Sequence, residues 1–301
     1  MLSNVPGTIK GSKGAVLFIG FGRSGKVWLG VALSASMVIA GAVVATAAVT
    51  GKHHNGHRGL VICRNYGRKT IKVHGVYYWV RNDVIHRADH ECIRVVRKGQ
   101  PGFVVIKTQA NSHDSDNDAF PEVLYGCEWS RCTNHTVLPR RIWRLKNVVT
   151  SWDATWRHAH GQFNVAYDIW FGHLHTINGH ANGAELMIWL GAKHFPTPVG
   201  VPIARIDGIR WYYAHHRACS LYGCWKYIVF RRVRLTTHAH HLSLLPFFRY
   251  AERKHQLRPR WFLKSIDVGF EIWHKGLGLA VHKYSVWIKL RPARKHNRHR
   301  K

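Results

Sequence analysis

Glu185-Leu-Met-Ile-Trp189 and Gly269-Phe-Glu271-Ile-Trp273 are short apolar segments that each hold one carboxylate and one indole. In an extended chain, successive side chains point to opposite faces. Glu185, Met187 and Trp189 then share one face, with Leu186, Ile188 and Leu190 on the other. Gly269, Glu271 and Trp273 likewise lie opposite Val268, Phe270 and Ile272. A third segment, Phe163 to Phe171, puts Phe163, Val165, Tyr167, Ile169 and Phe171 on an apolar side. Asn164, Ala166, Asp168 and Trp170 fall on the other side. A single strand glutamate is ordinarily a paired structural acid. Three acids that share strand faces with tryptophans, in a chain with only 15 Asp+Glu, call for another explanation. Glycosidic-bond cleavage needs two carboxyls across the scissile bond, and flat rings offer a stacking surface for sugars.

The elements that must position these acids are strands. From about Gly59 the chain runs in short alternating apolar stretches broken by Gly, Asn, Asp and Pro. That pattern predicts an all-β jelly-roll sandwich of two antiparallel sheets with one short helix. Further strands are expected over Arg210-Trp-Tyr-Tyr-Ala214, Trp225 to Phe230 and Lys283 to Lys289. The helix is expected within Leu242 to Leu257, with Pro246 near its start.

The chain has 301 residues, and 45 Lys+Arg against 15 Asp+Glu give a formal charge of +30. Such a charge favours anionic partners. Apart from the run at 291–301, the basic residues are spread along the chain and mark no nucleic-acid motif. Val27 to Val49 carries no charge, follows Lys10, Lys13, Arg23 and Lys26, and contains Ala45-Thr-Ala47. It reads as an export signal cleaved near Ala47, with an uncleaved membrane anchor as the alternative. The expected organisation is therefore a basic region and signal over 1–47 and a linker over 48–58. A catalytic domain over 59–290 and a basic tail over 291–301 complete it.

All six cysteines follow the signal. The simplest pairing is Cys63 with Cys92, Cys127 with Cys132 and Cys219 with Cys224, as expected outside the cytosol. Gly20-Phe-Gly22-Arg-Ser-Gly25 matches a dinucleotide fingerprint but precedes an apolar signal-like run instead of a βαβ unit. The 24 His lack a shared carboxylate partner. Asp114-Ser-Asp116-Asn-Asp118 lacks the Gly and Glu of a calcium loop. No metal or cofactor is expected.

The segments Ile62-Cys63, Tyr78 to Asn82, Phe120 to Cys127 with Cys132, and Tyr167-Asp-Ile-Trp170 resemble glycoside hydrolase family 12, secreted endo-β-1,4-glucanases. The resemblance continues through Glu185 to Trp189, Pro198-Val-Gly200, and Gly269 to Trp273 with Gly278-Leu279. It implies a retaining mechanism with Glu185 as nucleophile, Glu271 as acid/base and Asp168 beside Glu185. Trp170, Met187, Trp189 and Trp273 are expected to bind substrate, as are Asn82, Trp211 and Tyr66. Arg81 and Asp83 depart from the amides that the family carries on either side of Asn82. The implied substrate is a cellulose-like glucan, with xyloglucan or a weakly catalytic wall-binding role as alternatives. A secreted monomer, retained by charge on anionic wall polymers, is expected.

Lys275 lies four residues beyond Glu271, and a nearby cation favours an ionised carboxylate. The proton donor would then stay protonated only under acidic conditions. The pH–rate profile of the purified protein on a neutral glucan is expected to peak below neutrality.

Overall fold

A computed structural model of the chain describes residues 59–292, except 86–89, 97–98, 113–116, 177–180 and 221. The expected signal, the linker and all but the first two residues of the basic tail lie outside the described residues. In chain order the strands are β1 (Val61–Ile62), β2 (Gly67–Val73), β3 (Val76–Asn82), β4 (Cys92–Val95), β5 (Phe103–Lys107) and β6 (Glu122–Glu128). Next come β7 (Arg131–Cys132), β8 (Arg140–Arg141), β9 (Leu145–Thr155), β10 (Gly161–Gly172), β11 (Ala184–Lys193) and β12 (Ile203–Ile206). After β13 (Ile209–Ser220), β14 (Gly223–Arg232) and β15 (His238–Ser243) comes the helix α1 (Leu245–Arg253). The chain closes with β16 (Phe262–Gly269), β17 (Ile272–Lys275) and β18 (Ala280–Leu290).

The strands form two sheets. The smaller has the order β1-β4-β5-β18-β9-β15. The larger runs β12-β13-β14-β11-β10-β16-β6-β3-β2, with β17 beside β10, β7 beside β6 and β8 beside β16. The expected sandwich is present. Its pairing is antiparallel except between β11 and β14, which run parallel. The β12–β13 hairpin intervenes in sequence between those two strands, and β14 returns beside β11 in the same direction.

Alternation decides the sides. On β10, Phe163, Val165, Tyr167, Ile169 and Phe171 are fully buried in the core between the sheets. Trp152 of β9 packs against Tyr167 at 5.6 Å and Phe270 at 6.5 Å between ring centroids. Two tyrosines tie the layers together. Tyr78 Oη accepts from Val286 N at 3.1 Å, and Tyr284 Oη donates to Ile266 O at 3.0 Å. The helix is shorter than expected, because Leu242 and Ser243 still pair with β9. Pro246 fits its first turn, where no backbone N–H is needed. Phe247 packs on Trp211 (5.0 Å) and Phe230 (5.2 Å), and Phe248 on Phe171 (5.1 Å).

Disulfides join Cys63 to Cys92, Cys127 to Cys132 and Cys219 to Cys224. The last two close short hairpins across directly paired positions. Trp152 is fully buried and shares the core with rings from both sheets. Trp152→Ala is expected to lower the unfolding free energy by about 3–5 kcal/mol, read from urea denaturation.

Candidate active site

The face of the larger sheet turned away from the core collects the acids. Between β10 and β11, Trp170 lies opposite Glu185, Asp168 opposite Met187, and Ala166 opposite Trp189. Between β10 and β16, Asp168 lies opposite Asp267. On the other flank of β11, Glu185 pairs with Tyr227.

Each predicted catalytic carboxylate is held by an N–H donor. Trp225 Nε1 donates to Glu185 Oε2 at 2.7 Å, and Trp170 Nε1 to Asp168 Oδ2 at 2.9 Å. Glu271 sits between β16 and β17, where Asn164 of β10 clasps it. Its backbone N donates to Asn164 Oδ1 at 2.9 Å, and Asn164 Nδ2 donates to Glu271 Oε2. Gly269, two residues earlier, permits this path. A Cβ there would run into the carbonyl oxygen of Pro121.

The three acids share this face, because Asn164, which holds Glu271, alternates with Asp168 on β10, and Asp168 lies opposite Met187, two residues from Glu185 on β11. Tyr227 is pushed well above the ordinary tyrosine range, first by burial and then by the charges of Glu271, Glu185 and Asp168. Beside them Met187, Trp189, Trp225 and Tyr227 form an apolar patch, with Trp170 and Phe195 packed on it. Phe195 meets Trp189 at 5.3 Å and Trp273 at 5.0 Å. Two expected residues lie elsewhere. Trp211 faces the core against Phe247. Asn82 is fully buried and donates through Nδ2 to Glu91 O at 2.9 Å. Tyr66 stands at the rim, 59% exposed, and Lys275 is exposed at the end of β17.

Sequence reasoning missed a second charged cluster on the same face. Arg81 contacts Glu122 (2.5 Å), Glu128 (2.5 Å) and Asp83 (3.2 Å). One buried guanidinium therefore serves three carboxylates. Asp267 is almost wholly buried and accepts from Ser265 Oγ at 3.0 Å. Its carboxyl is pushed well up by burial, then by Glu122, Glu128 and Asp168, against the opposing pull of Arg81. Glu122 is pushed up for the same leading reason, burial. The available signal was alternation: Asp267 precedes Gly269 and Glu271 on one face, and Trp225 and Tyr227 alternate with Ile228's side. Among the described residues no three His, Cys, Asp or Glu side chains gather as a metal site would require.

The pattern of glycosyl hydrolase family 12 matches residues 78–289. The chain belongs to glycosyl hydrolase family 12. It is similar to the probable cellulase Cel12b of Mycobacterium tuberculosis, at 24% identity over 155 residues, covering 51% of this chain and 98% of that protein. Among solved structures it is similar to endoglucanase cel12A from Rhodothermus marinus, at 31% identity and TM-score 0.69. That match covers 77% of this chain and 100% of the other. A family 12 xyloglucanase from Bacillus licheniformis shares the fold at 20% identity and TM-score 0.67, covering 77% and 100%. In this glycoside hydrolase the expected jelly roll is present, and all three acids lie on one face of its larger sheet.

Asp267 gives a stability test. A carboxyl whose folded pKa is raised contributes stability below its unfolded pKa and loses it as pH rises through the folded pKa. Asp267→Asn cannot ionise and is expected to escape that loss. Its thermal midpoint should equal the wild type's at low pH and exceed it towards neutrality, as followed by circular dichroism across pH.

Proposed function

We propose that this protein is a retaining endo-β-1,4-glucanase acting on cellulose-like glucans outside the cell. The observation that carries the proposal is that Glu185, Glu271 and Asp168 share the outer face of the larger sheet, each held there by its own N–H donor. In the first step a Glu185 oxygen attacks the anomeric carbon. The glycosidic C–O bond breaks, and the leaving oxygen takes the proton of Glu271. In the second step Glu271 removes a proton from water, which attacks the same carbon and releases Glu185. Asp168 lies on the neighbouring strand and orients the charge around Glu185. Trp225 and Asn164 act as positioning residues, holding the two glutamates in register through the bonds above. Met187, Trp189, Trp170 and Trp273 supply the apolar and ring surface for the sugars.

Export is supported by three disulfides, which persist in oxidising compartments. The charge of +30 supports retention of a monomer on anionic wall polymers. Neutral polymers are therefore the proper substrates for assay, because carboxymethyl cellulose binds a cationic protein by charge alone.

Reducing-end release from barley β-glucan, hydroxyethylcellulose and xyloglucan tests the assignment. Glu271→Gln is expected to lose on the order of 10²–10⁴-fold in rate, and Glu185→Gln at least as much. Proton NMR of the first-formed product should show the β-anomer. Equal background activity in all three proteins would leave only a carbohydrate-binding role, and an α-anomer would refute the retaining mechanism.

A further inference from the structure

Two disulfide-closed hairpins carry an aromatic residue at or near the tip, and those rings touch. Trp129 lies in the turn between β6 and β7, within the loop closed by Cys127–Cys132. Tyr222 lies between β13 and β14, within the loop closed by Cys219–Cys224. Their centroids are 4.7 Å apart at an interplanar angle of 77°, and the residues are 41% and 64% exposed.

The sheet order makes this contact informative. From β14 to β6 the order runs β14-β11-β10-β16-β6, so three strands intervene. Four spacings at the usual separation put the two strands ~19 Å apart along the sheet. Rings from those hairpins meet at 4.7 Å only if the sheet curves and the tips reach towards each other above it. Trp129 directly follows Glu128, which pairs with Arg81 at 2.5 Å, so the ring contact stands beside the charged cluster of the acid-bearing face.

Backbone conformation supports a selected position. Trp129 and Ser130 both have positive φ, +46° and +70°. A two-residue hairpin turn of this kind ordinarily takes Asn-Gly or Gly-Gly, because other side chains are strained there. A tryptophan in such a turn is an outlier of the sort that gathers at ligand clamps.

We propose that Trp129 and Tyr222 form an arch over the catalytic face that favours unbranched β-1,4-glucan over chains bearing side-chain sugars. The proposal rests on the glucanase reading above. A single edge-to-face pair is a weak latch, worth roughly two- to ten-fold in an equilibrium. It opens readily for a polymer to enter sideways, so endo attack is retained. A linear chain lets the rings close again above it. A branched chain holds them apart and forgoes that factor.

The test compares wild type with Trp129→Asn, Tyr222→Ala and Tyr222→Phe. Asn tolerates positive φ, so Trp129→Asn removes the ring without straining the turn. The readouts are kcat/KM on barley β-glucan and on tamarind xyloglucan, with an aryl β-cellobioside reporting the chemical step alone. The expected result is a xyloglucan-to-β-glucan ratio raised roughly two- to ten-fold in Trp129→Asn and Tyr222→Ala. Tyr222→Phe keeps the ring and should keep the wild-type ratio, and cellobioside turnover should hold in all three. Equal losses on both polymers would overturn the arch and leave a simple stacking platform. An unchanged ratio would also overturn it, with the glucanase reading intact. A wild type inactive on every glucan would sink that reading, and the arch with it.

Discussion

Between the two sheets, Trp152, Tyr167, Phe103 and Phe270 fill a dry layer of interlocking rings. Burial of this apolar area is the main favourable term available to a sandwich of this size. It also constrains everything else. Once one face of β10, β11, β14 and β16 is committed to the core, the period of two sends every intervening residue to the opposite face. Within the core, Thr150 Oγ1 and Tyr167 Oη pair at 2.8 Å. The acids had one face left to them.

That face concentrates negative charge in a strongly basic protein. Glu122, Asp267, Asp168 and Glu185 are all buried, and Arg81 is the cation drawn among them. Burying several carboxylates so close together opposes their ionisation. The protein answers with directed donors: an indole N–H to Glu185, an indole N–H to Asp168 and an amide to Glu271. The same tryptophans also form the apolar floor. Trp170 and Trp225 lie 5.6 Å apart, so the rings that steer the carboxylates are packed against one another. The donors to the carboxylates and the apolar floor are therefore built from the same side chains.

Hairpin chemistry sets the rims. Each short disulfide loop pins a turn whose aromatic residue would otherwise sample many positions. The conformational cost of holding Trp129 and Tyr222 is thereby met partly by covalent bonds. The exposed rings then meet each other edge to face at 4.7 Å.

The sequence by itself determined which face of each central strand is apolar. Alternation is local, and Phe163 to Phe171 or Glu185 to Trp189 carries it without reference to any neighbour. It determined the close cysteine pairs for the same reason of short range. The helix was legible in place but not in length, because the pairing of Leu242 with β9 is a long-range matter. Asn82 and Trp211 read as site residues, yet the strand phase set by distant packing against Glu91 and Phe247 turned both inward. Only the tertiary structure decided which residues meet across strands that are remote in sequence. Trp225 reaches Glu185, Asn164 reaches Glu271, and Asp267 lies opposite Asp168. Strand order is fixed by how a whole set of apolar faces closes into one core, and no single stretch of chain encodes it.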